Sequence, residues 1–379
     1  MKKTVLCLFL IGIIMACNKS KVGEFDYPVL SVDLTQTNPP SVFDIFAKIE
    51  IIPLETTDSS LIGGTGDILV SIYNNQYYIY DDRTESLYCF DEHGKFVRKI
   101  GNKGPGPEEY AYVMGFNINK YKDVIEILSF GYLYTYELSG KFVSKIELPE
   151  TDFPFLGMGI LNDSIRLFSK MPRNGEDQLY IYSVQSNTIV NSFYQENPVV
   201  RFITQRGYKY NDSLYSCHPL VNKVFKINQQ GLEIVYAWDF GALNPEQTKF
   251  EKDIEVKGER LIQMYRSAQI KGIYVLQFQN DKYYYTYFSR FVNYDKVLHT
   301  NVFYDKRNHK KFVFENFKED VHFKPIMWND DYALATLLPD FSLNKFKAID
   351  PSILDEENRQ KLEAMKEDDN PFIIKYYFK

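Results

Sequence analysis

The sequence predicts an all-β protein, a six-bladed β-propeller with two short helical insertions, and three observations carry that expectation. The chain holds 30 Tyr and 29 Phe against 2 Trp, and aromatic residues make up 16% of it; Tyr and Phe favour half-buried pleated surfaces. An Asn/Asp turn followed at once by an alternating strand recurs six times, at Asn74-Asn75, Asp123, Asn162-Asp163, Asn211-Asp212, Asn280-Asp281 and Asn329-Asp330, with spacings of 48, 40, 49, 69 and 49 residues. A second turn follows most of these markers, at Gly94, Gly140, Asn187, Gly231 and Asn308. Asn, Asp and Gly tolerate the positive φ of tight hairpins. Strand, turn, strand, loop, strand, turn, strand at a period in the forties is one propeller blade, and six markers mean six blades.

The elements follow in order. Lys2 and Lys3 precede the apolar run Val5–Met15, which is too short to span a bilayer and has the form of a signal peptide over residues 1–16. Ile14-Met15-Ala16-Cys17 reads as a lipobox with Cys17 as the lipidation site. A membrane attachment by lipid anchor follows from it. Asn18 is not the aspartate of inner-membrane retention, so the expected location is the outer membrane, on its periplasmic or cell-surface side. Residues 17–43 carry Gly23, Pro28, Pro39 and Pro40 and read as a tether. The propeller is expected over 44–379.

Its first strand, near 47–54, has no blade of its own. Phe372–Phe378 is a terminal strand, and sharing one blade between the two closes the ring and removes two exposed edges. Residues 244–257, opening with Asn244-Pro245, and residues 350–366, opening with Asp350-Pro351, have helical character. In the mature chain only Cys89 and Cys217 remain. Both sit in strand-like runs, where small buried side chains are expected rather than a disulfide.

Four segments resemble the six-bladed β-propeller lipoproteins of Bacteroidota, which are related to NHL-repeat propellers. They are Ile52–Thr57, Phe90–Phe96, Gly104-Pro105-Gly106-Pro107-Glu108-Glu109-Tyr110 and Asp369-Asn370-Pro371. The resemblance runs from about Ile49 to the end. It implies an exported, ligand-binding protein, often encoded near glycan or peptide uptake systems, and it supplies no catalytic motif.

The chemistry-bearing residues say less. A formal net charge of −6 lacks the basic surplus of a nucleic-acid binder. The five His (His93, His218, His299, His309 and His322) show no metal-ligand spacing, and no cofactor or metal is expected. No nucleophile elbow is present. The Gly101–Gly106 run lacks the Lys-Ser/Thr end of a phosphate loop.

Candidate ligand contacts therefore come from topology. In a propeller the loops between second and third strands ring one mouth of the channel. Here they offer Asp81, Arg83, Tyr132, Arg173, His218, Asn222, Arg290 and Tyr294. Three Arg suit a carboxylate or other anion, and the two Tyr suit stacking on a sugar or peptide ring. The expected partner is a glycan or peptide ligand or a membrane protein. A binding or interaction module accessory to nutrient uptake is favoured over a propeller-fold lyase or hydrolase, and over a structural subunit of a surface complex.

Overall fold

The computed structural model describes residues 26–63, 69–152, 154–170, 176–193, 207–245, 271–293, 296–337 and 353–379. The signal peptide, Cys17, Arg173, Tyr294 and most of the helix expected over 244–257 lie outside these residues. The chain enters through β1 (Val29–Ser31), helix α1 (Val42–Ile45) and β2 (Phe46–Pro53). Blade one is β3 (Leu69–Tyr73), β4 (Gln76–Asp81), β5 (Ser86–Phe90) and β6 (Phe96–Ile100). Blade two is β7 (Gly115–Asn119), β8 (Val124–Ser129), β9 (Tyr132–Glu137) and β10 (Phe142–Glu147). Blade three is β11 (Gly157–Ile160), β12 (Ile165–Ser169), β13 (Leu179–Ser183) and β14 (Thr188–Phe193).

Blade four is β15 (Tyr208–Tyr210), β16 (Ser213–Cys217), β17 (Lys223–Ile227) and β18 (Leu232–Asp239). Blade five is β19 (Gly272–Gln279), β20 (Tyr283–Asn293), β21 (Lys296–Asp305) and β22 (Lys311–Phe314). Blade six is β23 (Met327–Trp328), β24 (Tyr332–Leu337) and β25 (Phe372–Phe378), with helix α2 (Glu356–Ala364) between the last two. These six sheets stand in a ring, a six-bladed propeller.

The turns form where side chain and backbone chemistry agree. Asn74 and Asn75 have φ of 47° and 59°, and Asn211 and Asp212 have 46° and 57°, both positive as a two-residue hairpin requires. Asn162, Asn280 and Asn329 act differently, each accepting from two amides two and three residues on. In the second turns Gly94 and Gly140 have φ of 81° and 88°. A Cβ at Gly94 would collide with the Pro53 carbonyl oxygen, and one at Gly140 would come within 2.9 Å of the Lys99 carbonyl oxygen. Each turn thus seats on the outer strand of the preceding blade, and only glycine leaves room. The outer strand pairs of blades one to four shift register by a bulge, which increases local twist.

Closure follows the expected route. β2 pairs antiparallel with β25 from Phe46–Phe378 to Pro53–Phe372, inside the sheet order β2-β25-β24-β23. Helix α2 lies within the stretch expected to be helical, 350–366, and is capped by Asp355, whose side chain accepts from the Asn358 amide; residues 350–352 lie outside the described residues. Asn358 accepts from the Ile51 amide at 2.7 Å and donates to the Ile49 carbonyl at 3.2 Å, so the helix covers the free edge of β2. Within 244–257, the described Asn244 ends a short 3-10 turn (Gly241–Leu243).

The stretch expected as tether departs from that reading from Val29 onward. β1 runs parallel to β18, and Leu30, Val32 and Leu34 are buried. The segment then bonds to the Val313 carbonyl of blade five, and Pro40 accepts from the Lys318 amide. Ser41 and the Val42 amide bond to the Glu319 carboxylate, which holds the start of α1. The stretch is a strap across blades four and five. Apolar clusters fill the seams between blades, the largest joining the strap to blades four, five and six. Cys89 and Cys217 are buried in different blades and are not joined by a disulfide.

Candidate functional site

A propeller has two mouths, and the two differ here in what their side chains already hold. The mouth ringed by the first turns is laced by contacts from blade to blade. The Tyr73 hydroxyl donates to Asp123, which holds the phenol above its ordinary value. The Arg166 guanidinium of blade three forks onto Glu126 of blade two at 2.6 Å on both arms, both side chains being buried. Lys120 of blade two pairs with Asp212 of blade four. The Tyr210 hydroxyl donates to Asp281 at 2.6 Å, and the Asp281 amide donates to Asp330 at 3.0 Å. Lys375 of blade six lies 5.2 Å from the ring centre of Tyr77 in blade one. The circuit passes through every blade, and its Lys120–Asp212 member links blades that are not neighbours. Lys209, on the inner strand of blade four, stands among these charges. Crowding by protein and the nearby Lys120 ammonium hold it below the ordinary lysine value.

The opposite mouth, ringed by the second-to-third-strand loops, is less committed. Asp81 is fully buried, and its carboxylate accepts from the Gly63 amide at 2.9 Å and the Thr84 hydroxyl at 2.7 Å. It is therefore the keystone of its turn and not a surface contact. Arg83 is exposed and donates to the Gly63 carbonyl at 2.7 Å. Tyr132 starts β9, and the Lys145 ammonium sits 4.0 Å over its ring, so the stacking face expected of it is covered.

Its neighbour Phe130 takes that place. It is 50% exposed, at a turn completed by Gly131 (φ 71°), with its ring 5.8 Å from that of Tyr112. The Tyr80 hydroxyl lies within electrostatic reach of both Tyr112 and Asp82, although burial does most to raise its value. An aromatic directly before a turn glycine was the available sequence signal for Phe130.

The loop that carries His218 and Asn222 and the end of β20 that carries Arg290 both border the seam between blades four and five. His218 is buried, its Nδ1 accepting from the Leu220 amide at 3.0 Å. Asn222 exchanges two hydrogen bonds of 2.8 Å with the Trp238 backbone. The Pro219 carbonyl accepts from the Tyr274 amide, which ties this loop to blade five. Arg290 lies two residues beyond Phe288, whose ring meets Phe240 and Tyr274 at 5.1 Å each. Arg83 and Arg290 thus belong to one mouth, from blades one and five. Among the described residues no group of three or more His, Cys, Asp or Glu is placed to hold a metal.

The comparisons with known proteins agree with the fold. A family model described as a domain of unknown function (DUF4934) matches residues 28–377. The chain is similar to the crystal structure of a Bacteroides fragilis NCTC 9343 protein that its description assigns to export. Identity is 16% and the TM-score 0.68, over 93% of this chain and 99% of that one. It is also similar to a member of the DUF4221 family from Bacteroides vulgatus ATCC 8482, with 12% identity and a TM-score of 0.50 over 88% and 96% of the two chains. No curated protein matches it.

Proposed function

The chain belongs to the DUF4934 family, and from that premise we propose that it is an exported, lipid-anchored module that binds a ligand at the mouth ringed by its second-to-third-strand loops. The contrast between the two mouths carries this reading. The first-turn mouth spends its charges on inter-blade contacts, from Tyr73–Asp123 round to Lys375–Tyr77. The other mouth presents the exposed ring of Phe130 beside Tyr112, together with the guanidinium groups of blades one and five. An exposed aromatic pair stacks on a sugar or peptide face.

Export is supported by the apolar run Val5–Met15 that leads to Cys17, and by the fold shared with a Bacteroides protein assigned to export. The anchor is the lipid on Cys17 and the location the outer membrane. The role is delivery or retention of glycan or peptide fragments for uptake. The test is an array of neutral and acidic oligosaccharides and short peptides probed with the delipidated protein. Phe130→Ala should lower affinity for whatever binds while leaving the thermal midpoint unchanged. A ligand whose affinity is insensitive to Phe130→Ala and to Arg83→Ala binds elsewhere, and the assignment of this mouth then falls.

A further inference from the structure

The face of blade five turned toward blade four carries three donors in a column. Gln277 pairs in register with Thr286, Tyr274 with Phe288, and Gly272 with Arg290, so all of these side chains lie on one face. That this face meets blade four follows from two contacts. The Trp238 indole donates to Gln277 Oε1 at 2.9 Å, and Phe240 packs on Tyr274 and Phe288. Levels two residues apart along a strand are separated by about 6.6 Å. The column therefore climbs from inside the seam to the open mouth, with Arg290 uppermost.

Each member has a buried donor with no hydrogen-bond partner among the described residues: Gln277 Nε2, Tyr274 Oη and Arg290 Nε. Gln277 and Tyr274 are each 2% exposed. A buried donor left unpaired costs free energy, and native structures keep few of them without a reason. Here three of like polarity share one face, and all three call for an acceptor. The one acid that acts on Tyr274 among the described residues is no remedy. Asp239 lies within electrostatic reach of Tyr274, yet it is held by the Ser31 hydroxyl, the Gly241 amide and the Asn244 side chain. Lys271 adds a second cation at the rim, its ammonium donating to the Ala242 carbonyl.

We propose that the seam between blades four and five receives the carboxylate of an anionic ligand, with Arg290 as its charge partner and Tyr274 as a hydrogen-bond donor beneath it. This rests on the second-loop mouth being the ligand face and names the chemistry read there. A guanidinium fork matches a carboxylate in shape and charge. An acidic sugar and the C-terminus of a peptide share that group.

The experiment uses the whole mature chain and two pairs of probes followed by calorimetry. One pair is a uronate trisaccharide and its methyl ester; the other is a tripeptide and its C-terminal amide. One free acid should bind, and which one binds identifies the source of the carboxylate. Its affinity should fall about tenfold or more on esterification or amidation, and similarly in Arg290→Gln, with partial rescue by Arg290→Lys. It should also weaken as salt is raised.

Tyr274→Phe should lower affinity without lowering the thermal midpoint, because it removes an unpaired buried hydroxyl instead of a structural bond. Absence of binding by either free acid, or an affinity unchanged in Arg290→Gln, overturns the carboxylate site. Equal binding of acid and ester that is lost in Phe130→Ala also overturns it, while the mouth itself stands as the ligand face.

Discussion

At the scale of single residues, burial decides which charges are structural. Arg166 is fully buried and answers Glu126 with two bonds of 2.6 Å, while its other arm donates to the Asn162 and Ile165 carbonyls. Asn119 donates to the same carboxylate at 2.8 Å. Removing one partner leaves the other charged in a place without water, which typically costs about 3–5 kcal/mol. Arg166→Met should lower stability in urea unfolding by that order. The double variant with Glu126→Leu should recover most of it, since replacing a whole buried pair by apolar groups is often neutral. No recovery in the double variant means that the packing, not the charge, carries the effect. The two thiols supply a second test. Burial pushes Cys89 up to about 11 and Cys217 up to about 12. Their folded values lie above those of the unfolded chain, so the stability they contribute is present below about pH 8.5 and is lost as pH rises through the folded values. Neither should react with a thiol reagent at neutral pH until the chain unfolds; labelling of the native protein at either position contradicts the burial.

At the scale of elements, the blades were legible in the sequence because their turns are fixed by local chemistry. Asn75, Asp123 and Asp212 show positive φ at the marked positions, as do Gly94, Gly140, Asn187 and Gly231 in the second turns. The strap was not read. Leu30, Val32 and Leu34 alternate with Ser31, Asp33 and Thr35, a strand signal, but it is short and followed by two prolines, and its partner β18 lies some two hundred residues away. Helix α2 was legible as a helical stretch, but that its Asn358 would reach back to the edge of β2 was not, because that partner lies some three hundred residues away in sequence. Asn370 shows what the segments of the resemblance do. Fully buried, it accepts from the Ile62 amide and donates to the Glu55 and Ser60 carbonyls, so it clamps the loop that follows β2. The glycines give the prediction for this scale. Gly94 and Gly131 both have positive φ, but a Cβ at Gly131 meets nothing within 4 Å whereas one at Gly94 meets the Pro53 carbonyl. Gly131→Ala should cost only backbone strain, about 1 kcal/mol, and Gly94→Ala clearly more because β2 must also move. Equal shifts of the thermal midpoint in the two variants argue against the seating of second turns on the neighbouring blade.

At the scale of the whole molecule, the ring is held by one closing strand pair and a strap laid over it. Ligand contacts were legible only as a set of loops, since topology names a mouth but not which side chains there are already occupied. Asp81 and Tyr132 proved engaged, and Phe130, Tyr274 and Gln277 came into view only with the blades assembled. The closing pair and the strap make separable contributions. β2 supplies the outer strand of blade six, paired from Phe46 to Pro53 along β25, and Phe46 meets five aromatic rings within 6.1 Å. The strap adds Leu30, Val32 and Leu34 to the largest apolar cluster, and fully burying one such side chain is worth about 1.5–3 kcal/mol. A chain beginning at Ser41 keeps α1, β2 and every blade, so it should remain folded and unaggregated, with a clearly lower thermal midpoint and a single cooperative transition. A chain beginning at Leu54 loses β2, which bares the edge of β25 and strips Asn358 of its partners, Ile49 and Ile51. An open, apolar strand edge invites pairing with other chains, so this second truncation should aggregate or dimerise, by light scattering, under conditions where the first does not. If both truncations behave alike, the ring does not depend on its terminal strand pair and its closure must reside in the seams between blades.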